Sequence, residues 1–265
     1  MKKFYALAVV LSFLAGSASA QDFYWIGAAN GDWSNTANWS NTSGGPSAGA
    51  YPDGTGHNVI LDANASIRLN ISVNLNSLSV TGTTTQASIT GSGGGGDANP
   101  RILTVNSTSA GSPGLLIQAG CRLENSAING TYFQFTFADN GKASINGEWL
   151  FTGDIEQDNF AYFLLPETTG QTTAVSVNSG GAISIGANTI PPANEFTGDD
   201  YLIFNSGATL NILGSFAIVP AANYQTGSVV NITGVTNEGV SIEETGSLGT
   251  INYNCPNQAA SVSLT

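Results

Sequence analysis

The sequence has very few charged side chains, and basic ones are especially scarce. Only 9% of its 265 residues are charged, with six lysines and arginines against eighteen aspartates and glutamates. Nucleic acids and anionic membrane surfaces attract clustered lysine and arginine, so neither is expected as a partner. Amphipathic helices with charged outer faces are equally hard to build from this composition.

The sequence also lacks an apolar run of the roughly 20 residues that a membrane-spanning helix needs. Its most apolar stretch, residues 4–14, follows Lys2 and Lys3, and residues 17–20 end in the small-x-small pattern of a signal peptidase site. Residues 1–20 are therefore predicted to be a cleaved signal peptide, and the protein to be secreted or held at the cell surface. Loss of Lys2 and Lys3 with that peptide takes the net charge from −12 to −14.

Motifs of catalysis are missing as well. There is one histidine, His57, and no HExxH, CxxC, P-loop or nucleophile-elbow pattern. Asp199 and Asp200 are the nearest approach to the acid pair that cleaves a glycosidic bond, which needs carboxyl groups about 5–9 Å apart. The sequence thus predicts no catalytic residue and favours a protein without enzymatic activity. A carbohydrate-active β-helix enzyme, either a polysaccharide lyase or a glycoside hydrolase, is the alternative.

What the sequence does contain is short runs typical of β-strands. Segments such as YFQFTFA (132–138) and TLNILGS (209–215) alternate apolar with polar residues and are bounded by Gly, Asn or Pro. Each strand would bury one face and present Ser, Thr and Asn on the other. Apolar residues reach 41%, which is enough for a core. The sequence therefore predicts an all-β fold.

A turn-then-strand phrase recurs at Gly120, Gly141, Gly181, Gly207 and Gly246. The intervals between these glycines are 21, 40, 26 and 39 residues, close to one or two units of roughly 20 residues. That spacing favours a right-handed parallel β-helix, or β-solenoid, in which each rung supplies two or three short strands. A β-sandwich or jelly roll with similar strand spacing is the alternative.

Three of the four tryptophans, Trp25, Trp33 and Trp39, lie close together near the start of the predicted mature chain. The first rung of a solenoid exposes an open sheet edge and an open core end, which large rings with satisfied indole N–H groups can cover. We therefore predict an aromatic cap and first rung over residues 21–66, followed by solenoid rungs over 67–265. The alternative is a sugar-stacking platform formed by the three rings, which would make the protein a glycan-binding module.

The same segment resembles the amino-terminal module of a group of secreted proteins. Trp33, Asn38 and Trp39 match a W-x-x-x-x-N-W element that occurs in large secreted β-helix proteins of Gram-negative bacteria. These include autotransporter-like passenger domains and repetitive cell-surface proteins of the Bacteroidetes. The resemblance implies a structural or adhesin-like protein whose partners are surface glycans or other cell-surface proteins.

A second element of that module, P-x-x-x-D-x-V-x-(I/F)-D, is matched in part by Pro52, Val59 and Asp62. His57 stands about where the group usually carries aspartate, which weakens any metal-binding role of this loop. The resemblance covers residues 23–66. The group usually carries a carboxy-terminal sorting or translocator domain, and this sequence stops at NQAASVSLT. We therefore expect either a short stand-alone member or a truncated one.

Calcium is the one cofactor for which the sequence offers any ligands. Asp53, Asp62 and Asn64 lie in and beside a Gly/Pro-rich loop and carry the oxygen atoms that Ca²⁺ prefers. Their spacing matches no EF-hand or nonapeptide repeat, so they are weak candidates for a structural ion. No other cofactor or metal is expected.

The two cysteines distinguish the solenoid from the sandwich. Cys121 and Cys255 lie 134 residues apart, about six rungs at the inferred period. Rungs stacked near 4.8 Å would hold them roughly 25–30 Å apart, whereas a disulfide needs Cα atoms within about 7 Å. A solenoid therefore predicts two unpaired thiols, although exported proteins usually pair them. A sandwich could bring them together.

Thiol titration of the purified mature protein tests this prediction. Denaturation without reductant is expected to release two reactive thiols, because Cys121 and Cys255 are too far apart to bond. Adding reductant should not increase the number. A Cys121–Cys255 disulfide, detected as a cross-linked peptide in a non-reduced digest, would contradict the regular stack and favour the sandwich.

Overall fold

The computed structural model describes residues 20–94, 96–153, 160–164, 174–186, 202–214, 217–219, 222–236, 240–242 and 249–259. The predicted signal peptide lies outside these residues except for Ala20, and Asp199 and Asp200 lie outside them as well. The described chain is all-β with parallel sheets, as the sequence predicted, and its one helical segment is a 3-10 turn at Thr36–Asn38. Among these residues no helix has the length and apolar character needed to cross a membrane.

The described strands are short, and we number them β1 to β26 in chain order. The first half comprises β1 (Gln21–Trp25), β2 (Gly31–Asp32), β3 (Trp39–Ser40), β4 (His57–Leu61), β5 (Ala65–Leu69), β6 (Val73–Leu75), β7 (Ser77–Val80), β8 (Gln86–Gly91), β9 (Gly96–Val105), β10 (Thr108–Ser109), β11 (Ser112–Pro113), β12 (Leu115–Ile117) and β13 (Arg122–Ala127). The second half comprises β14 (Thr131–Phe137), β15 (Lys142–Ile145), β16 (Glu148–Phe151), β17 (Phe160–Leu164), β18 (Ala174–Val177), β19 (Ala182–Ile185), β20 (Leu202–Phe204), β21 (Thr209–Ile212), β22 (Ala217–Val219), β23 (Asn223–Tyr224), β24 (Val229–Ile232), β25 (Val240–Ile242) and β26 (Thr250–Tyr253).

Three sheets contain most of these strands. Sheet A has the order β23-β20-β18-β15-β12-β7-β4-β1-β3, sheet B the order β2-β5-β8-β13-β16-β19-β21-β24-β26, and sheet C the order β17-β14-β9-β6. Strands β22 and β25 form a further parallel pair. Among the described strands, antiparallel pairing is confined to β1 with β3 and to the β10–β11 hairpin.

The chain passes through the three sheets in a fixed order. From β4 to β17 it enters sheet A, then sheet B, then sheet C, and it repeats that sequence with only the β10–β11 hairpin interposed. Strands of successive passes pair in parallel, as β4 does with β7, β7 with β12 and β12 with β15. Strands that are neighbours in a sheet are therefore separated along the chain by the strands of the other two sheets.

Register aligns the inward-facing residues of successive strands. In sheet A, Phe23 pairs with Val59 and Val59 with Leu78, and all three side chains are fully buried. Because side chains alternate across a strand, the residues between them face outward. A slip by one residue would exchange the two faces, and each exposed Val, Leu or Phe side chain would lose about 1.5–3 kcal/mol of burial energy.

The length of chain between paired residues varies more than the sequence predicted. Leu210 pairs with Val230, which is 20 positions later, whereas Ile89 pairs with Asn125, which is 36 positions later. The expected unit of roughly 20 residues therefore fits the last passes and is wrong for many earlier ones. The pass from Ile89 to Asn125 is longer because it includes the ten-residue strand β9 and the β10–β11 hairpin.

The recurring glycine phrase is a repeated β-turn wherever the structure describes it, and its last occurrence, at Gly246, lies outside the described residues. Its third position has a positive φ, +80° at Gly180, +79° at Gly207 and +90° at Gly227, which a glycine adopts without strain. The closing hydrogen bond runs from the fourth amide to the first carbonyl, as from Gly181 N to Asn178 O at 2.8 Å. The turns also stack, since Gly180 N donates to Gly207 O and Gly207 N to Gly227 O, both at 2.9 Å.

Replacing Gly147 with alanine tests how tightly successive passes approach each other. A Cβ at this position would collide with the carbonyl oxygens of Cys121 and Gln118, the latter at 2.5 Å. We expect G147A to lower the free energy of unfolding by about 1–3 kcal/mol, as overpacking does. At Gly56 a Cβ has nothing within 4 Å, so G56A is the matched control and should be neutral or slightly stabilising. Equal urea midpoints for the two variants would contradict the close approach.

Candidate functional site

The three clustered tryptophans are buried against one another. Trp33 and Trp39 are 0% exposed and Trp25 is 9% exposed. The ring of Trp39 lies 5.0 Å from that of Trp25 at an interplanar angle of 79°, and 4.7 Å from that of Trp33 at 59°. These edge-on and tilted contacts are the favoured packing of aromatic rings. The cluster therefore presents no exposed, coplanar pair of rings on which a sugar could stack.

Two of the indole N–H groups are satisfied inside the cluster. Trp33 Nε1 donates to the carbonyl of Pro52 at 2.8 Å, and Trp39 Nε1 donates to the carbonyl of Trp33 at 2.7 Å. A buried donor without a partner would cost about 1–3 kcal/mol. The first bond ties the tryptophan segment to the proline loop, so the two elements of the sequence motif are in contact in the structure.

Asn38, within the first of those elements, fixes the path of the chain between β1 and β3. Its carbonyl accepts from Ile26 N at 2.9 Å, and its side-chain Nδ2 donates to Asp32 O at 3.0 Å. The side chain lies so close to Gly27 that a Cβ there would be 2.6 Å from Asn38 Cγ and from the Trp25 ring. The motif therefore needs an amide at position 38 and a glycine at position 27 for physical reasons.

His57 acts as a hydrogen-bond acceptor in the loop that precedes β4. Its Nδ1 accepts from the backbone amides of Asp53 and Gly54, both at 3.1 Å. These two bonds assign the ring proton to Nε2. A carboxylate, which the secreted proteins that this segment resembles usually carry near this position, could accept the same two bonds. The ring also lies 4.9 Å from the ring of Phe23.

The weak calcium candidates do not come together. Asp53 precedes β4 and Asp62 follows it, so a five-residue strand separates them, which at roughly 3.3 Å per residue is about 16 Å. The side-chain oxygen of Asn64 accepts instead from Gln86 N at 2.8 Å. In the part of the chain that the structure describes, no group of three or more His, Cys, Asp or Glu could hold a metal ion.

The two thiols lie beside widely separated strands of sheet B and are not bonded to each other. Cys121 is buried directly before β13, and its Sγ donates to Gly82 O at 3.5 Å. Cys255 is half-buried just after β26, and its Sγ donates to Ile232 O at 3.4 Å. Sheet B places five strand-to-strand steps between β13 and β26, not six, because the first three of these passes take 26, 34 and 27 residues. At about 4.8 Å per step, the separation along the sheet is about 24 Å.

Hydrogen-bonded columns of amides run along the outer surface of sheets A and B. The first column lies just after three strands of sheet A, β15, β18 and β20. There Asn178 Nδ2 donates to Asn146 Oδ1 at 3.0 Å, and Asn205 Nδ2 donates to Asn178 Oδ1 at 3.1 Å. On sheet B, the same donor-to-acceptor order links Asn252 to Asn231 and Asn231 to Asn211, each at 2.9 Å. The sequence predicted polar outer faces but not these bonds. The repeated Asn-Ser-Gly at 178 and 205 was the signal for the first column.

The few charges on sheet B are paired with opposite charges on the same or the next strand. Arg68 Nε donates to Asp32 Oδ1 at 2.5 Å, and this hydrogen bond raises the pKa of Arg68. Arg122 lies 3.0 Å from Glu124 and 3.8 Å from Glu148. The two glutamates therefore share one guanidinium, and each also accepts a hydroxyl bond, from Thr152 at 3.1 Å and from Ser184 at 2.6 Å. This pair of acids was not foreseen from the sequence.

Replacing Trp33 with phenylalanine removes the hydrogen bond that ties the tryptophan cluster to the proline loop, together with part of a buried ring. Phenylalanine keeps an aromatic ring but leaves the carbonyl of Pro52 without its donor. We expect W33F to lower the free energy of unfolding by about 1–3 kcal/mol, measured by urea denaturation followed by circular dichroism. Y24F on the outer face of β1 is the control and should change it by no more than about 0.5 kcal/mol. Equal effects of the two substitutions would show that this bond does not stabilise the cap.

Comparisons with known proteins do not place the chain in a family. No protein family, no curated protein and no solved structure matches it. The resemblance of residues 23–66 to secreted β-helix proteins therefore stays a prediction, and function has to be inferred from the geometry of the described residues.

Proposed function

We propose that the protein is a secreted or cell-surface right-handed parallel β-helix with a structural or adhesive role. The repeated order of sheets A, B and C and the parallel register support a coil in which each pass forms one rung. Crossover connections between parallel strands are right-handed in almost all proteins, which supports a right-handed coil. The segment 21–66, with its buried tryptophans, is the cap of this coil.

The observation that carries the proposal is the continuity of the polar columns on the outer faces. Asn211, Asn231 and Asn252 lie opposite one another in register, and their amides are joined end to end. Side chains held in this way lose little further freedom when they meet a partner, so contacts on such a face cost less entropy. A rigid, weakly charged, hydroxyl- and amide-rich surface suits contact with glycans or with other cell-surface proteins.

The alternatives have less support among the described residues. An enzyme acting on polysaccharides would need acids converging on one groove, yet Glu124 and Glu148 are held by Arg122 and by hydroxyl groups. A glycan-binding module based on the tryptophans would need exposed rings, and those of Trp33 and Trp39 are buried. A structural or adhesive role needs neither converging acids nor exposed rings.

The proposal is tested with beads coated with the purified mature protein. We expect the beads to adhere to bacterial cell surfaces or to immobilised surface polysaccharide, and the soluble protein to release no sugar fragments from the same polysaccharide. Beads coated with heat-denatured protein are the control, because an adhesive role depends on the folded outer faces. Release of fragments would replace the structural role with an enzymatic one. Equal adhesion of native and denatured beads would remove the adhesive part of the proposal.

A further inference from the structure

The strand β26 forms an edge of sheet B whose outer backbone groups are not paired with any described strand. It pairs in parallel with β24 on one side, and no described strand pairs with its other side. The amides of Thr250 and Asn254 donate on the β24 side, at 3.0 and 2.9 Å. Because bonding direction alternates along a strand, Ile251 and Tyr253 direct their amides and carbonyls to the open side. Such an edge is a template for pairing with another strand.

The side chains of Ile251 and Tyr253 are incompletely covered at this edge. They lie opposite Val230 and Ile232, which are fully buried, yet they are themselves 38% and 39% exposed. These two side chains therefore stand at the inward-facing positions of the strand and still present apolar surface to water. A strand added at the open side of β26 would cover that surface and pair the backbone groups at the same time.

On the outer face, Asn252 brings the amide column of sheet B to the same edge. Its Nδ2 donates to Asn231 Oδ1 at 2.9 Å. A side-chain amide carries two N–H donors and one oxygen acceptor. The second N–H and the oxygen of Asn252 have no partner among the described residues. The column therefore ends with one donor and one acceptor, a set that complements a second copy of itself.

Charge indicates which occupant fits this edge. The predicted mature chain carries a net charge of −14, so two copies repel each other wherever their acidic surfaces meet. Residues 245–265 contain no charged side chain, and β26 lies within them. A second copy can therefore approach this edge without bringing like charges into contact. A basic partner would find no carboxylate side chain on this strand.

The opposite edge of sheet B is bonded within its own chain. In β2 the amide of Gly31 donates to Ala28 O at 3.1 Å, and the carbonyl of Asp32 accepts from Asn35 N at 3.2 Å and from Asn38 Nδ2 at 3.0 Å. A second copy could pair with β2 only by breaking these bonds. Pairing of β26 with β26 closes a two-fold dimer, whereas pairing of β26 with β2 would continue into a filament. The closed arrangement is therefore favoured.

We propose that the protein forms a two-fold symmetric dimer in which β26 pairs antiparallel with β26 of a second copy. An axis at Asn252 places Ile251 opposite Tyr253 of the second copy. In this register the open amides and carbonyls of both strands become hydrogen-bonded pairs. The two Asn252 side chains then lie side by side, and each donates to the oxygen of the other. This inference depends on the edge of sheet B and not on the adhesive role.

Sedimentation equilibrium of the purified mature protein tests whether the dimer forms. One pair of strands is a small interface of the weak class, so we expect a dissociation constant of about 100 µM. Raising the salt concentration from about 20 to about 200 mM should strengthen the dimer, because screening reduces the repulsion between two acidic copies.

Substitution of Ile251 tests where the contact lies. We expect I251D to weaken the dimer at least about tenfold, because it places a carboxylate in an apolar contact. I128D is the matched control. Ile128 is 41% exposed, but it follows β13 in the interior of sheet B, so I128D should leave the dissociation constant unchanged. Circular dichroism of each variant confirms that it is folded.

Introduced thiols test the register. At the axis of an antiparallel pair the Cα atoms of a non-hydrogen-bonded pair lie about 4.5 Å apart, which a disulfide can span. In a C255S background we therefore expect N252C to give a covalent dimer under mild oxidation. T250C in the same background is the control, because at about 3.3 Å per residue position 250 lies about 13 Å from its counterpart and should not cross-link.

Amide hydrogen exchange, followed by NMR, reports on the backbone of the unsubstituted protein. We expect the amides of Ile251 and Tyr253 to exchange several-fold more slowly at about 1 mM protein than at about 10 µM, because only the dimer gives them partners. The amides of Thr250 and Asn254 are already bonded on the β24 side and should exchange at the same rate at both concentrations.

Several results would overturn the proposal. A protein that stays monomeric at about 1 mM, ten times the expected dissociation constant, would exclude the dimer. Equal weakening by I251D and I128D, or equal cross-linking of N252C and T250C, would contradict pairing at β26. Growth beyond the dimer would contradict the closed two-fold arrangement. None of these results changes the bead experiment, so the two proposals fail separately.

Discussion

The in-register parallel pairing of strands is the constraint on which the rest of this structure depends. Because Val59 lies opposite both Phe23 and Leu78, the inward residues of successive strands form one apolar column. The same register places Asn231 between Asn211 and Asn252 on the outside. The core, the amide columns and the stacked turns are therefore consequences of a single alignment, and a shift of one residue in any strand would disturb all three.

Side chains at the edges of the described sheets differ in how far they are covered. At the amino-terminal end the rings of Trp25, Trp33 and Trp39 pack together beside β1. In sheet B, β26 is the last described strand, and its Ile251 and Tyr253 are 38% and 39% exposed although they pair with the buried Val230 and Ile232. Burial of an inward-facing side chain in these sheets thus depends on what packs beyond its strand.

Local pattern was enough to predict the strands, whereas contacts between distant residues were beyond it. Alternation in segments such as 132–138 identified a strand because side-chain direction depends only on the backbone. The length of each pass could not be read from the glycine spacing, since strand and loop lengths differ from pass to pass, as from Val59 to Leu78 and from Leu78 to Leu115. The approach of Arg122 to Glu148 arises from register between strands far apart in sequence. Only the repeated Asn-Ser-Gly gave a local sign of such a contact.

In-register pairing also accounts for the scarcity of charged residues in this sequence. In a parallel sheet a residue and its partners on both neighbouring strands lie about 4.8 Å apart, so like charges in one column repel one another. Asparagine, serine and threonine carry both a donor and an acceptor, and a column of them can continue over any number of strands. Charges on sheet B occur where an opposite charge is adjacent, as at Asp32 and Arg68.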